Sequence, residues 1–169
     1  MHQVRSAICG IFRRNVLKQL GSSMTDLKIE VAHRFSPELL QAVTSLLPQL
    51  TSSGRLMTSA ELKAMIDCPF ATLFVAKDDD RIVGMISLAV VQMPTGLRSY
   101  LEDLVIDATF RQRGGATALL QAAIDYAKAS GARSLDMTSR SSRTGAIRLY
   151  ERLGFKRRDT NAFRYSFYE

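Results

Sequence analysis

The run LVIDATFRQRGGATALLQAAIDYAKASG, from Leu104 to Gly131, restricts the fold more than any other part of the chain. β-forming residues give way through a short loop to Gly114 and Gly115, and a helical pattern begins at once. Leu119, Leu120, Ala123, Ile124 and Ala127 recur at helical spacing, which predicts a helix from Gly115 to Ser130, stopped by Gly131. The β-rich run RSLDMTS follows and brings the chain back to a sheet. A strand, a helix and a returning strand make a crossover after the fourth strand, which suggests a mixed sheet with helices packed on it.

The rest of the chain fits around that unit. LKIEVAH, from Leu27 to His33, alternates apolar and polar residues and predicts a first strand. Ser36, Pro37 and Glu38 start a helix: serine caps it, proline suits its first position, and an acid suits its positive end. A second short helix begins at Thr58, with Glu61 at capping-box spacing. By analogy with other acyl- and nucleotide-handling folds, this helical pair would lie over a substrate. ATLFVAK and RIVGMISLAVVQ, joined by DDD, predict a hairpin. MPTGLR reads as a loop, SYLEDLVID as a fourth strand, and TGAIRLYERL as a helix stopped by Gly154. FKRRDT and AFRYSFY would close the chain as a hairpin around Asn161. The expected architecture is a mixed, mostly antiparallel sheet with helices on both faces.

With 169 residues, 46% of them hydrophobic and 23% charged, the chain suits one globular domain with its own core. No apolar stretch is long enough to span a membrane as a helix. Cys9 and Cys68 lack metal or redox spacing, and His2 and His33 complete no ligand set, so no metal is expected. Two cysteines also suit a reducing cytoplasm. The net charge of +7 raises the question of nucleic acid. However, Arg5, Arg13, Arg14 and Lys18 place +4 of it in residues 1–23, which contain no acid. That stretch reads as a basic extension ahead of a domain that begins at Met24; an amphipathic transit peptide is the alternative.

The glycine pair has a chemical reading. The first N–H groups of a helix have no internal partner and point outward, and the helix dipole adds positive potential there. Small residues let an anion reach the backbone, and Arg111 and Arg113 add charge. A pyrophosphate suits such a site. Ala116 and Thr117 do not supply the Lys and hydroxyl pair of a nucleotide-binding P-loop. The third glycine of a dinucleotide loop is also missing.

EDLVID, then Arg111-Gln112-Arg113-Gly114-Gly115-Ala116, then AIRLYERLGFKRR together resemble the GNAT family of N-acetyltransferases. The family's first motif is filled by Arg111, Gly114 and Ala116. Its second is the segment from Ala146 to Phe155, with Leu149-Tyr150 and Leu153-Gly154-Phe155. The resemblance runs from about Leu27 to Tyr168. It implies acetyl transfer from acetyl-CoA on a mixed sheet that splays open at the fourth strand. It also implies that the backbone of Leu104, Val105 and Ile106 pairs with the pantetheine arm, and that Gln112, Arg113, Gly114, Gly115, Ala116 and Thr117 hold the pyrophosphate. Tyr150 would stand near the thiol sulfur and protonate it. Arg143 stands where the family often has Asn and would reach a phosphate, and Gln112 stands where it often has Gly.

An amine acceptor must lose a proton before it attacks. Glu102 and Asp103, on the strand expected to carry the thioester, are the candidate base and the candidate amine-attracting acid. In a regular strand they point to opposite faces, and only a bulge would change that. A solvated edge or a salt bridge is the alternative reading of both acids, and core packing the alternative for Tyr150. YLED is similar to diamine acetyltransferases; small amines, protein lysines and N-termini all remain acceptors, and a homodimer is left open. Two non-enzyme readings are a catalytically silent CoA sensor and a basic nucleic-acid-binding module. The retained tyrosine argues against the first and the charge distribution against the second.

Overall fold

A computed structural model describes residues 26–51, 54 and 56–167. Residues 1–23, expected to be an extension, lie outside the described residues. The chain divides into two compact units, Met1–Thr138 and Ser139–Glu169.

The first unit holds the sheet. Its strands are β1 (Lys28–Val31), β2 (Ala71–Asp78), β3 (Arg81–Met93), β4 (Gly96–Ile106) and β5 (Leu135–Met137), and they lie in that order across the sheet. The first three pairings are antiparallel and the last, β4 with β5, is parallel. The crossover between β4 and β5 is the helix α3 (Gly115–Ala129). Between β1 and β2 lie α1 (Pro37–Leu50) and α2 (Ser59–Asp67).

Local chemistry accounts for the helix starts. The Ser36 hydroxyl accepts a hydrogen bond from the Leu39 amide at 3.1 Å. Thr58 and Glu61 form the reciprocal capping box: the Glu61 amide donates to the Thr58 hydroxyl, and the Thr58 amide to the Glu61 carboxylate.

The sheet has a core on each face. Leu39, Val43 and Leu46 of α1 and Leu62 and Ile66 of α2 pack with Leu73, Val75, Met85 and Val105. Phe74 alternates with Leu73 and Val75 and so points to the other face, where its ring meets Tyr126 of α3 edge-on at 5.6 Å. Leu119, Leu120 and Ala123 of α3 are completely buried.

Two features depart from the sequence reading. The expected MPTGLR loop is only a tight turn at Pro94 and Thr95, because Gly96–Arg98 already pair with β3. The expected closing hairpin is absent: residues 155–167 form no strand. Phe163, Tyr165 and Phe167 keep the alternation of a strand but are 92%, 83% and 82% exposed. Alternation provides a strand's two faces but not the partner that its backbone needs.

Candidate active site

β4 is the centre of the candidate site, for two reasons that its pairing makes visible. Ser99, Tyr100 and Leu101 pair with β5 on one side, but Glu102–Ile106 have no strand on that side among the described residues. The sheet therefore opens at the C-terminal half of β4, and one backbone edge of that half is left for an extended ligand.

The second reason is a bulge. Glu102 pairs with Ser87 and Val105 with Met85, so Asp103 and Leu104 together oppose Ile86. Asp103 takes up the extra residue with a left-handed backbone, φ 57°. An aspartate tolerates this conformation better than most residues. The bulge reverses the alternation beyond it. Glu102 shares a face with Val105, while Leu101, opposite Leu88, shares a face with Ile106, opposite Gly84. The parity expected of a regular strand, with Glu102 matched to Leu104 and Ile106, does not hold. Partial burial also pushes the Asp103 carboxyl above the usual aspartate range.

The loop after β4 leads to the glycine pair. Asp107 caps a single 3₁₀ turn, Ala108–Phe110, by accepting from the Thr109 amide at 3.0 Å. The backbone is left-handed at Gln112, φ 64°, and again at Gly114, φ 80°. Gly114 sits at the N-cap of α3, where no side chain caps the helix. The first turn closes with the Ala118 amide donating to the Gly114 carbonyl at 3.0 Å. The amides of Gly115, Ala116 and Thr117 precede that bond and are open to an anion. Gly115 has a separate reason to lack a side chain. A Cβ there would come within 2.8 Å of Leu27 Cδ1 and 3.2 Å of Ile106 Cδ1. One glycine thus serves the turn and the other lets the helix sit against the sheet.

The arginines of the loop divide their work. Arg111 Nε donates to the Ile106 carbonyl at 3.4 Å. Arg113 is engaged by Asp78 at 3.2 Å, and its guanidinium lies over the Phe110 ring. Its charge is thus partly neutralised by a carboxylate of the β2–β3 hairpin, which the sequence pattern gave no means to foresee.

The second unit contains α4 (Thr144–Arg152). Tyr150 is half-buried on it, and its ring meets Phe155 at 6.1 Å. Burial pushes the phenol above its ordinary value, and the positive charge of Arg143 works against that shift. The phenol is therefore protonated at neutral pH and can donate. Arg143 is the N-cap residue of α4 and makes no side-chain cap bond. Arg157 pairs with Glu151 at 3.0 Å as a surface ion pair.

Among the described residues no group of three or more His, Cys, Asp or Glu is arranged to hold a metal ion. None of the described helices is long and apolar enough to cross a membrane.

This arrangement can be compared with known proteins. Residues 40–155 match the model of the acetyltransferase (GNAT) family, a span that includes the β4 bulge, the glycine pair and Tyr150. The chain belongs to the GNAT family. As a GNAT protein it is an acetyltransferase. It is similar to N-alpha-acetyltransferase 30 of Schizosaccharomyces pombe, 38% identical over 105 residues, which are 56% of this chain and 70% of that protein. Its fold is similar to an aminoglycoside acetyltransferase from an uncultured soil metagenomic sample, solved with sisomicin. The TM-score is 0.75 at 19% identity, over 84% of this chain and 97% of that one. A similar match, TM-score 0.68 at 19% identity over 83% and 97%, is to AAC(6')-Iy in complex with a CoA-linked bisubstrate analogue.

Proposed function

We propose that this GNAT chain moves an acetyl group from acetyl-CoA directly to a primary amine. The observation that carries the reading is the continuity of β4 with the anion cradle. An open strand edge at Glu102–Ile106 runs into left-handed turns at Gln112 and Gly114 and then into the uncapped start of α3. The edge suits the amide groups of a pantetheine arm, and the cradle suits a pyrophosphate. Leu104, Val105 and Ile106 would pair with the first, and the amides of Gln112 to Thr117 would hold the second, with Arg111 beside it. Arg143 would contact a phosphate.

Acetyl-CoA supplies the acyl group and a thiol as leaving group. Glu102 accepts the proton of the incoming ammonium, directly or through water. The need is real: a lysine-like amine with a pKa of about 10.4 is only about one part in a thousand neutral near pH 7.5. Asp103 draws the cationic amine to the bulge. Tyr150 donates a proton to the departing thiolate, a role that its raised pKa supports.

The acceptor class is open to direct test. The N-alpha-acetyltransferase of Schizosaccharomyces pombe that the chain is similar to makes an N-terminal α-amine the first candidate, and the paired acids also suit a polyamine. Thiol release from acetyl-CoA, measured with a free-N-terminus peptide, a lysine peptide with a blocked N-terminus, and spermidine, distinguishes them. The reading predicts release well above background hydrolysis with at least one. No release with any of them, and no rise in melting temperature with millimolar acetyl-CoA, would overturn it.

A further inference from the structure

The loop that follows β4 is held from outside by the tip of the β2–β3 hairpin. Asp78 and Arg81 close that hairpin opposite one another. Asp78 reaches Arg113 at 3.2 Å, and Arg81 reaches Asp107 at 3.0 Å. Both guanidiniums lie over the same ring: Arg81 is 5.0 Å and Arg113 5.2 Å from the centroid of Phe110. Phe110 is the last residue of the 3₁₀ turn, immediately before Arg111-Gln112-Arg113-Gly114. From a third direction Gln49 of α1 accepts from the Ala108 amide at 2.9 Å.

This arrangement has a consistent physical logic. Two guanidiniums close to one ring repel each other, and each is relieved by its own carboxylate. The negative face of the ring attracts both cations. The result ties both ends of the segment from Asp107 to Arg113 to one hairpin. That segment contains Gln112, whose left-handed backbone no glycine makes cheap. A loop held in such a conformation needs its ends fixed by surrounding structure.

We propose that Phe110, clamped by Arg81 and Arg113, is a positioning residue that preorganises the pyrophosphate-binding loop and thereby sets the affinity for acetyl-CoA. The proposal rests on the reading of this loop as the pyrophosphate site. Phe110 touches neither the thioester nor the amine in this scheme. It acts through the amides of residues 112–117, so it affects ground-state and transition-state binding alike and leaves the chemical step alone.

The test compares two acetyl donors on the full chain: acetyl-CoA, and S-acetyl-pantetheine, which lacks the pyrophosphate and the nucleotide. For the wild type, kcat/KM should favour acetyl-CoA. Phe110→Ala should reduce that preference about tenfold, through KM for acetyl-CoA with kcat nearly unchanged. Phe110→Tyr, which keeps the aromatic face, should restore it. Phe110→Leu keeps the bulk without the quadrupole and should behave like the alanine variant, and it takes its place if that variant does not fold. An unaltered preference in both the alanine and leucine variants overturns the proposal. So does an equal loss of kcat with both donors, which is what general loosening of the fold would give. A wild-type enzyme without any preference for acetyl-CoA would instead overturn the reading of the loop itself.

Discussion

Glu102 and Val105, three residues apart on β4, face the same side of the sheet. A regular strand would put them on opposite sides. The residue that makes the difference is Asp103, whose left-handed backbone inserts an extra position opposite Ile86. The same bulge lets Val105 join the core beneath α1 and α2 while Glu102 remains at the surface on that face. An acid is thereby placed beside the open edge of β4 without being buried in the core.

Asp103→Asn provides a test of this environment that needs no substrate. Burial raises the folded-state pKa of Asp103 above the ordinary aspartate value, so its ionised form costs folding free energy. The cost is absent below the ordinary value of about 3.9 and grows as pH rises through the folded value. Asn also tolerates a left-handed backbone. The variant should therefore melt higher than wild type at neutral pH, and the difference should vanish in scans near pH 3, below the ordinary value of about 3.9. In assays it should raise the apparent KM for the amine with a smaller effect on turnover.

Glu102→Gln removes the proposed base. The amine must then lose its proton to bulk solvent, so the rate–pH profile should move to higher pH. Profiles of the two acid variants recorded together check the assignment. A shift in Asp103→Asn and none in Glu102→Gln would exchange their roles.

Gly114 separates the conformation of the cradle from its charge. Acetyl-CoA at about 100 times its Kd should stabilise the wild type by about 2.7 kcal/mol. For a chain of this size, that corresponds to a rise in Tm of roughly 5–10 °C. Gly114→Asn can keep the left-handed turn and should retain most of the shift. Gly114→Glu puts a carboxylate at the helix start and should abolish it, which thermal melting with and without ligand would detect.

Tyr150→Phe keeps the ring and its contact with Phe155 but removes the proton. Turnover should fall at least tenfold, equivalent to about 1.4 kcal/mol of transition-state stabilisation, while the Kd for acetyl-CoA changes little. Burial raises the phenol pKa, so an alkaline limb set by Tyr150 should lie above 10. Arg143→Gln should move that limb further up, because the opposing positive charge is lost. Turnover that survives Tyr150→Phe would show that the thiolate leaves unassisted.

The division at Met24 is tested by truncation. Leu27 is 3% exposed and contributes to the packing around Gly115, so it must be kept. A chain begun at Met24 should stay folded and retain its response to acetyl-CoA, as judged by melting with and without ligand. Insoluble protein on truncation would assign residues 1–23 to the fold.

Much of this protein is determined locally and can be read from the sequence. Ser36 and Thr58 cap helices because a hydroxyl three residues before an open amide is the nearest acceptor available. The helix after Gly114 follows from 3.6-residue periodicity, and its open first turn from helix geometry alone. The strands β2 to β4 follow from their β-rich composition and tight turns. What the sequence could not determine depends on pairing between distant segments. The bulge at Asp103 exists only as a mismatch between one residue of β3, Ile86, and two of β4, Asp103 and Leu104, so no pattern within β4 contains it. The clamp on Phe110 joins residues 81, 110 and 113 with acids at 78 and 107, through a hairpin far away in the chain. The alternation at Phe163, Tyr165 and Phe167 is the opposite case: the local signal of a strand is present, but a strand forms only when another backbone accepts its hydrogen bonds. Periodicity sets which face of an element is apolar; tertiary structure decides what that face and its backbone edge will meet.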